Sequence, residues 1–306
     1  MRRNGGRQTV AGIASRAQAG PTIGYRSTWA RRSRLILGRS LAHAVLMVGA
    51  AVFAMPFVWM MSTSLKADRQ IFTWPPVWIP NPVIWENYPA VFSYAPLHHY
   101  FVNTLVIASA NVFGAVVTCS LAAYGFTRVR APGRDAIFMV MISQMMIPAI
   151  VMLVPLYILY AALGWIDTFL PLTIPAALGT PFYIFMLRQF FMTIPMELDE
   201  AALIDGASHL SIWWRIMLPL STPALATVAI FSFMHAWNDF TGPLIFLNSR
   251  EKFTLALGLQ AFLFERRTVW GPLMAASTMM IVPILVVFFV AQKYFVQGIA
   301  LTGMKG

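Results

Sequence analysis

His235 and Asp239 have the side chains in this chain best suited to chemistry. They stand four residues apart in an apolar run, so on a helix they share one face and can pair. A carboxylate inside hydrocarbon costs about 2.5–3.5 kcal/mol and faces protein or water rather than lipid. Three uses are open to it. Asp239 can accept hydrogen bonds from hydroxyl donors, with Asn238 beside it and Trp237 offering a flat face to a pyranose ring. The His–Asp pair can relay a proton. The carboxylate can also simply hold one helix to another near the outer boundary of a membrane. Asn103, Asn111 and Gln144 are further amides in apolar surroundings, and such groups either line a path or tie helices together.

Absences bound the function as firmly. There is no G-x-x-x-x-G-K-[S/T] segment, so the chain has no P-loop to cradle nucleotide phosphates. No His, Cys and carboxylate cluster has metal-ligand spacing, and the 19 methionines suit adaptable packing rather than a metal. The single cysteine, Cys119, excludes an intrachain disulfide framework. The expectation is a chain that is not an enzyme, has no catalytic residue and binds neither metal nor cofactor.

The elements that must position these residues follow from composition. Hydrophobic residues make up 58% of the chain and charged residues 11%, with a mean hydropathy of +0.68. A soluble domain carries about 25% charged residues. The net charge of +11 does not signal nucleic acid, because the basic residues lie in short segments between apolar runs. Six such runs, at about 41–61, 101–126, 136–161, 168–187, 221–247 and 273–292, each match the length that crosses ~30 Å of hydrocarbon. In lipid a lone chain satisfies its backbone only as a helix. The fold class expected is therefore all-α, a polytopic membrane protein with six transmembrane helices. Pro171, Pro175 and Pro181 predict a kink or break in the fourth run. Ala110, Gly114 and Thr118 recur every four residues and suit close packing of the second.

Sixteen of the 22 Lys and Arg residues fall on one side if the N-terminus is inside, which predicts both termini in the cytoplasm. The other side then receives Lys66, Arg69, Arg250, Lys252, Arg266 and Arg267. Residues 1–34 read as a basic, disordered tail, and 35–306 as one transmembrane domain. The loop at 66–100 carries six prolines with Trp74, Trp78 and Trp85, which suits an interfacial anchor or a docking surface for an external partner.

The cytoplasmic segment 188–220 is the most specific part of the sequence. Pro195 suits the first turn of a short helix, and Glu197, Asp199 and Glu200 suit the positive end of its dipole. Ala201 and Ala202 give it a small-sided surface, Gly206 permits a turn, and Pro219 opens the next span. Two short helices joined by a bend on the inner face can transmit force from a cytoplasmic engine.

Here the sequence resembles a known family. Glu200-Ala201-Ala202, then Gly206, then Ile216 and Leu218-Pro219, fit without a gap the EAA signature of ABC-importer permeases. Ser64-Leu65-Lys66, Pro75-Pro76, Glu86-Asn87-Tyr88, Pro155-Leu156-Tyr157, Gly164, Asp167-Thr168, Trp237-Asn238-Asp239-Phe240 and the end of the chain are similar to carbohydrate permeases related to the smaller membrane subunit of maltose-type transporters. The resemblance covers about 35–306 and implies the type I ABC importer permease fold in a bacterial inner membrane. It implies a second permease subunit, two ATP-binding subunits carrying ATP and magnesium, and an extracytoplasmic sugar-binding protein. Membrane lipid surrounds the chain, and no nucleic acid is involved. Gly303, Lys305 and Gly306 become candidates for contact with the ATPase subunits. A glycerol-phosphate permease is the alternative within this class. A proton-coupled carrier is the alternative outside it, disfavoured by the EAA loop and the lack of repeat symmetry.

Overall fold

Hydrocarbon offers a backbone N–H no partner outside the protein, and the computed structural model of this chain is built from helices accordingly. It describes residues 26–263 and 268–303, with side-chain surroundings for 36–263 and 268–292. The basic tail over residues 1–25, with Arg266 and Arg267, lies outside the described residues. Among the described residues there is no strand, only one isolated bridge between Leu263 and Thr268. Among the described residues four helices are long and apolar enough to cross a membrane: Ile36–Ser64, Leu97–Arg128, Leu170–Phe191 and Trp270–Gln292. Two bent pairs, Arg134–Met146 with Ala149–Ala162 and His209–Leu220 with Thr222–Asn238, raise the number to six if each is one span.

The chain divides into two units, Met1–Val58 and Trp59–Gly306. In the first, Leu37, Val45, Leu46 and Phe53 are exposed along the helix, as lipid-facing side chains are. The second holds all the sites described below. Its opening turn buries Lys66, expected as a surface charge, at 1% exposure. The Lys66 ammonium lies 3.6 Å from the centre of the Trp59 ring and donates to Thr63 Oγ1 at 3.4 Å. Burial pushes its pKa down. Asn87 Nδ2 closes the turn by donating to the carbonyls of Ser64 and Lys66 at 2.9 and 3.1 Å.

Three spans are interrupted: the third and fifth, expected as continuous helices, and the fourth, where the prolines predict a kink or break. The third, expected over 136–161, bends by 102° between Met146 and Ala149, because Pro148 forces Ile147 out of the helical region to φ −84° and ψ 118°. The fourth separates into Leu170–Ala177 and Pro181–Phe191. Pro181 holds Thr180 extended, and Gly179 accepts φ +119°, a value that L side chains rarely adopt. The fifth, expected over 221–247, stops at Asn238, and a short helix Thr241–Phe246 follows. At its other end the chain turns by 84° at Ser221, so Pro219 closes the preceding helix rather than opening the span. Pro223 occupies the first turn of the new helix, where its missing N–H costs nothing.

The second span runs through Leu97–Gly114, a π-helical turn Ala115–Cys119, and Ser120–Arg128. It meets the broken fourth span at close range. A Cβ on Gly114 would stand 2.5 Å from Ala177 Cα. Overpacking of this kind costs about 1–3 kcal/mol. Gly114→Val is therefore expected to lower the melting temperature of the detergent-solubilised protein by several degrees. Gly125→Ala, whose Cβ meets nothing within 4 Å, is expected to leave it unchanged. Fluorescence-detected size exclusion after graded heating distinguishes the two.

Candidate functional site

The break in the fourth span opens a cavity of about 420 Å³ between it and the second and fifth spans. Gly179 and Thr180 reach its wall from the break, Asn111 from the second span, and Ser232, His235 and Asp239 from the fifth. Tyr183 and Phe246 add aromatic surface, and among the described residues no Lys or Arg lines it. Asn111 is only 5% exposed, yet its Oδ1 has no hydrogen-bond partner. An orphaned buried acceptor costs about 1–3 kcal/mol. It is an enclosed acceptor without a donor, on a residue of the cavity wall.

Asp239 lines this cavity, but it does not pair with His235. The helix ends at Asn238, and Asp239 turns away with φ −67° and ψ 113°. Its Oδ1 instead accepts from Gly242 N at 3.0 Å, satisfying a free amide at the start of the next helix.

The other four path candidates lie elsewhere. Trp237 is fully buried, stacked on Phe233 at 5.1 Å and donating from Nε1 to the Met280 carbonyl at 3.2 Å, so its face is covered by packing. Asn238 Nδ2 turns back to the Met234 carbonyl at 2.8 Å. Asn103 Nδ2 ties down a loop through the carbonyls of Glu251 and Phe253 at 2.7 and 3.0 Å. Gln144 is exposed in the short 3₁₀ turn before the bend of the third span.

The segment carrying Glu200, Ala201, Ala202, Gly206, Ile216, Leu218 and Pro219 forms two short helices. Glu197–Ile204 begins one residue after Met196, which places Pro195 just before the helix rather than in its first turn. Gly206 closes it at φ +83°. Ala207 N donates to the Ala202 carbonyl at 2.9 Å and Gly206 N to Leu203 at 3.0 Å, a Schellman ending that needs a left-handed residue. Ser208 caps the second helix by accepting from Ser211 N at 3.3 Å. Glu200, Ala201, Gly206 and Pro219 are exposed, with Ile204 exposed at 86%. Ala202, Ile216 and Leu218 pack against the core around Leu187, Phe191 and Ile212.

Polar contacts that sequence reasoning did not reach fix this segment to the second span. Arg128 Nε lies 3.1 Å from Asp199 Oδ2, both side chains being 5% exposed. Burial pushes the Asp199 carboxyl up, against the pull of the Arg128 guanidinium. Tyr124 OH and His209 Nδ1 share a hydrogen bond of 3.1 Å, and Trp213 Nε1 donates to Ser120 Oγ at 3.3 Å.

A second anchor joins two loops. Asp167, at φ +60°, accepts from the amides of Asn248 and Ser249 at 3.0 and 2.9 Å through Oδ1. Its Oδ2 accepts from Ser249 Oγ at 2.5 Å and from Lys252 Nζ at 2.9 Å. Asp167 N donates to the carbonyl of Phe246, which is itself a wall of the cavity.

Among the described residues no group of three or more His, Cys, Asp or Glu is placed to hold a metal ion. Gly303 ends the helix Trp270–Gly303, while Lys305 and Gly306 lie outside the described residues.

The model of the family described as "Binding-protein-dependent transport system inner membrane component" matches residues 114–301, a stretch that contains most of both the cavity and the two-helix segment. The chain belongs to this family. The trehalose/maltose transport system permease protein MalG of Thermococcus litoralis is 33% identical over 279 residues, covering 87% of this chain and 98% of that protein. The sn-glycerol-3-phosphate transport system permease protein UgpE of Yersinia enterocolitica is 31% identical over 266 residues, covering 84% and 94%. A solved bacterial ABC transporter involved in the import of the acidic polysaccharide alginate shares the fold, with a TM-score of 0.75 at 24% identity over 86% of this chain and 98% of that one. The protein is thus a multi-pass ABC-importer permease subunit and not an enzyme, with ATP hydrolysis in separate subunits.

In this permease, the Asp167 anchor has a defined pH dependence. The hydroxyl of Ser249, then the amides of Ser249 and Asn248, then Lys252, hold the Asp167 carboxyl well below the usual carboxylate range. Its stabilisation is therefore full above the unfolded value of about 4 and is lost only as pH falls through the depressed folded value. Asp167→Asn is expected to lower the melting temperature equally at pH 7 and pH 5.5. The difference from wild type should narrow only below about pH 4. A difference that vanishes between pH 7 and 5.5 would contradict the assigned geometry.

Proposed function

We propose that this permease passes an uncharged sugar through the cavity at the break in the fourth span, by alternating access driven by partner ATPase subunits. The observation that carries the reading is that Asn111, whose buried Oδ1 has no partner, lines the same cavity as Asp239. These acceptors, with the hydroxyls of Ser232 and Thr180 and the rings of Tyr183 and Phe246, match a polyhydroxyl ring that donates hydrogen bonds and offers an apolar face.

The lining also bears on the choice between substrate classes. A phosphate is recognised best by Arg or Lys, and none of the described residues lining the cavity is either, although the N-terminus of Pro181–Phe191 on its wall would suit an anion. Asp239, the one carboxylate among its described residues, repels an anion. This favours a neutral sugar over a glycerol phosphate. The names of relatives such as MalG fit that preference.

The working transporter then comprises a second permease, two ATP-binding subunits with ATP and magnesium, and an extracytoplasmic binding protein that delivers the sugar. The exposed face of Glu200, Ala201 and Gly206 is read as the contact for an ATP-binding subunit, which places that segment and both termini in the cytoplasm. Gly303, Lys305 and Gly306 are read as a further contact with the same subunits.

Asp239→Asn isolates the path role, since Asn keeps an Oδ1 acceptor for Gly242 N and with it the turn. At matched protein level, uptake of limiting substrate into proteoliposomes is expected to fall about tenfold, the loss of one charged hydrogen bond of about 1.5 kcal/mol. Uptake by both proteins should require ATP and ignore a protonophore. Wild-type uptake in the variant would remove Asp239 from the path, and collapse of wild-type uptake under the protonophore would point to a proton relay.

A further inference from the structure

Ser120, Tyr124 and Arg128 recur every four residues along the end of the second span, and so lie on one helical face. Each meets a different part of the two-helix segment. Arg128 holds Asp199 on the first helix, Tyr124 holds His209 at the start of the second, and Ser120 receives Trp213 from the π-helical turn that follows. Arg128 also donates from its terminal nitrogen to the carbonyls of Phe191 and Ile194 at 3.2 and 2.7 Å, which fixes the end of the fourth span to the same point.

Directly above this face, the second span passes through the π-helical turn Ala115–Cys119. Thr180 N, freed by the break in the fourth span, donates to Cys119 Sγ at 3.4 Å. One turn higher Asn111 enters the cavity. A single element therefore runs from the exposed coupling surface to the acceptor in the proposed path, with polar contacts at both ends.

We propose that Ser120, Tyr124 and Arg128 are positioning residues that lock the coupling segment to the second span, so that a displacement imposed at Glu200 reaches Asn111 and the break at Thr180. This rests on the reading of the exposed segment as the ATPase contact. It assigns the transmission to three named side chains outside the EAA signature. Packing alone would hold the segment in place, but it would let the two short helices slide on the apolar face. One buried ion pair and two hydrogen bonds, at three separate points, fix both translation and rotation. Spatial continuity does not by itself establish energetic coupling, so the assignment is testable only by a measurement of coupling.

The experiment uses the complete transporter in proteoliposomes, and reads retained ATPase subunit, binding-protein-stimulated ATP hydrolysis, and sugar imported per ATP hydrolysed. The variants are Ser120→Ala/Tyr124→Phe, Arg128→Met, Asp199→Asn, the double Arg128→Met/Asp199→Asn, and Glu200→Lys. The first three are expected to retain the ATPase subunits and hydrolyse ATP, while sugar imported per ATP falls about fivefold or more. Arg128→Met/Asp199→Asn should be no worse than the worse single variant, because both remove one contact. Arg128→Lys should recover part of the ratio. Ser120→Ala/Tyr124→Phe leaves the buried ion pair intact, so it decides the matter if Arg128→Met does not fold. A wild-type ratio in that double, or loss of ATPase subunits in it, would overturn the proposal. Glu200→Lys serves the underlying reading separately. If it keeps wild-type subunit retention and hydrolysis, the ATPase contact is wrong and the transmission falls with it. If it loses them while the Ser120, Tyr124 and Arg128 variants transport normally, only the transmission is wrong.

Discussion

The constraint on which this structure depends is that a backbone in hydrocarbon must find every hydrogen bond within protein. The chain meets it with helix along most of its length and departs from it where the third, fourth and fifth spans are interrupted. Each departure then needs a local remedy. At Thr180 the freed amide finds Cys119 Sγ on the neighbouring span. At the end of the fifth span, Gly242 N finds the carboxylate of Asp239. The cavity lies between these two repairs, with Asn111 on its wall. Broken helices thus generate a polar surface of the kind the proposed path needs, and irregular backbone is tolerated because it lines a cavity and not lipid.

The buried charges obey the same accounting. A charged side chain removed from water must be paired or given a polarisable neighbour. Arg128 has both Asp199 and two carbonyls, whereas Lys66 has a ring and a hydroxyl. Removing one partner of a buried pair such as Arg128–Asp199 costs about 3–5 kcal/mol, because the survivor is stranded. Asp167 is different, for it keeps partial contact with solvent and gathers two amides, a hydroxyl and an ammonium. That array stabilises the ionised form strongly without burying it, which suits a clamp between two loops at the rim of the apolar region.

Much of this architecture was legible from composition and spacing. The all-α membrane fold and the family follow from apolar runs and from a motif whose residues meet a fixed geometry, with Gly206 at φ +83° closing a Schellman turn. The interruption of the fourth span was legible because three prolines mark it. The bend in the third was not, since Pro148 and Pro155 read equally well as interior prolines, and only tertiary packing decides which one breaks the helix. Asp239 was legible by charge alone, but its neighbours misled. Trp237 and Asn238 stand beside it in sequence, and a helix turns adjacent side chains about 100° apart. The Ser120–Tyr124–Arg128 face was visible as a polar four-residue period in an apolar span, yet it was passed over because Arg128 also reads as an orienting loop charge.

Asp239 illustrates why the path role proposed for it and a structural role need not be alternatives. Its Oδ1 ends one helix and starts the next, and without that acceptor Gly242 N would be an orphan at the cavity edge. Gly242 is also where a side chain cannot be added, for a Cβ there would meet the Asp239 carboxylate and lie 2.9 Å from Leu172 Cδ2. The carboxylate is held against a bare backbone, with its orientation set by the turn it caps. A group fixed in this way keeps its orientation at the cavity wall whether or not a ligand is present, so binding need not order it first. The interaction that repairs the broken fifth span is therefore also the one that preorganises the carboxylate for hydroxyl donors.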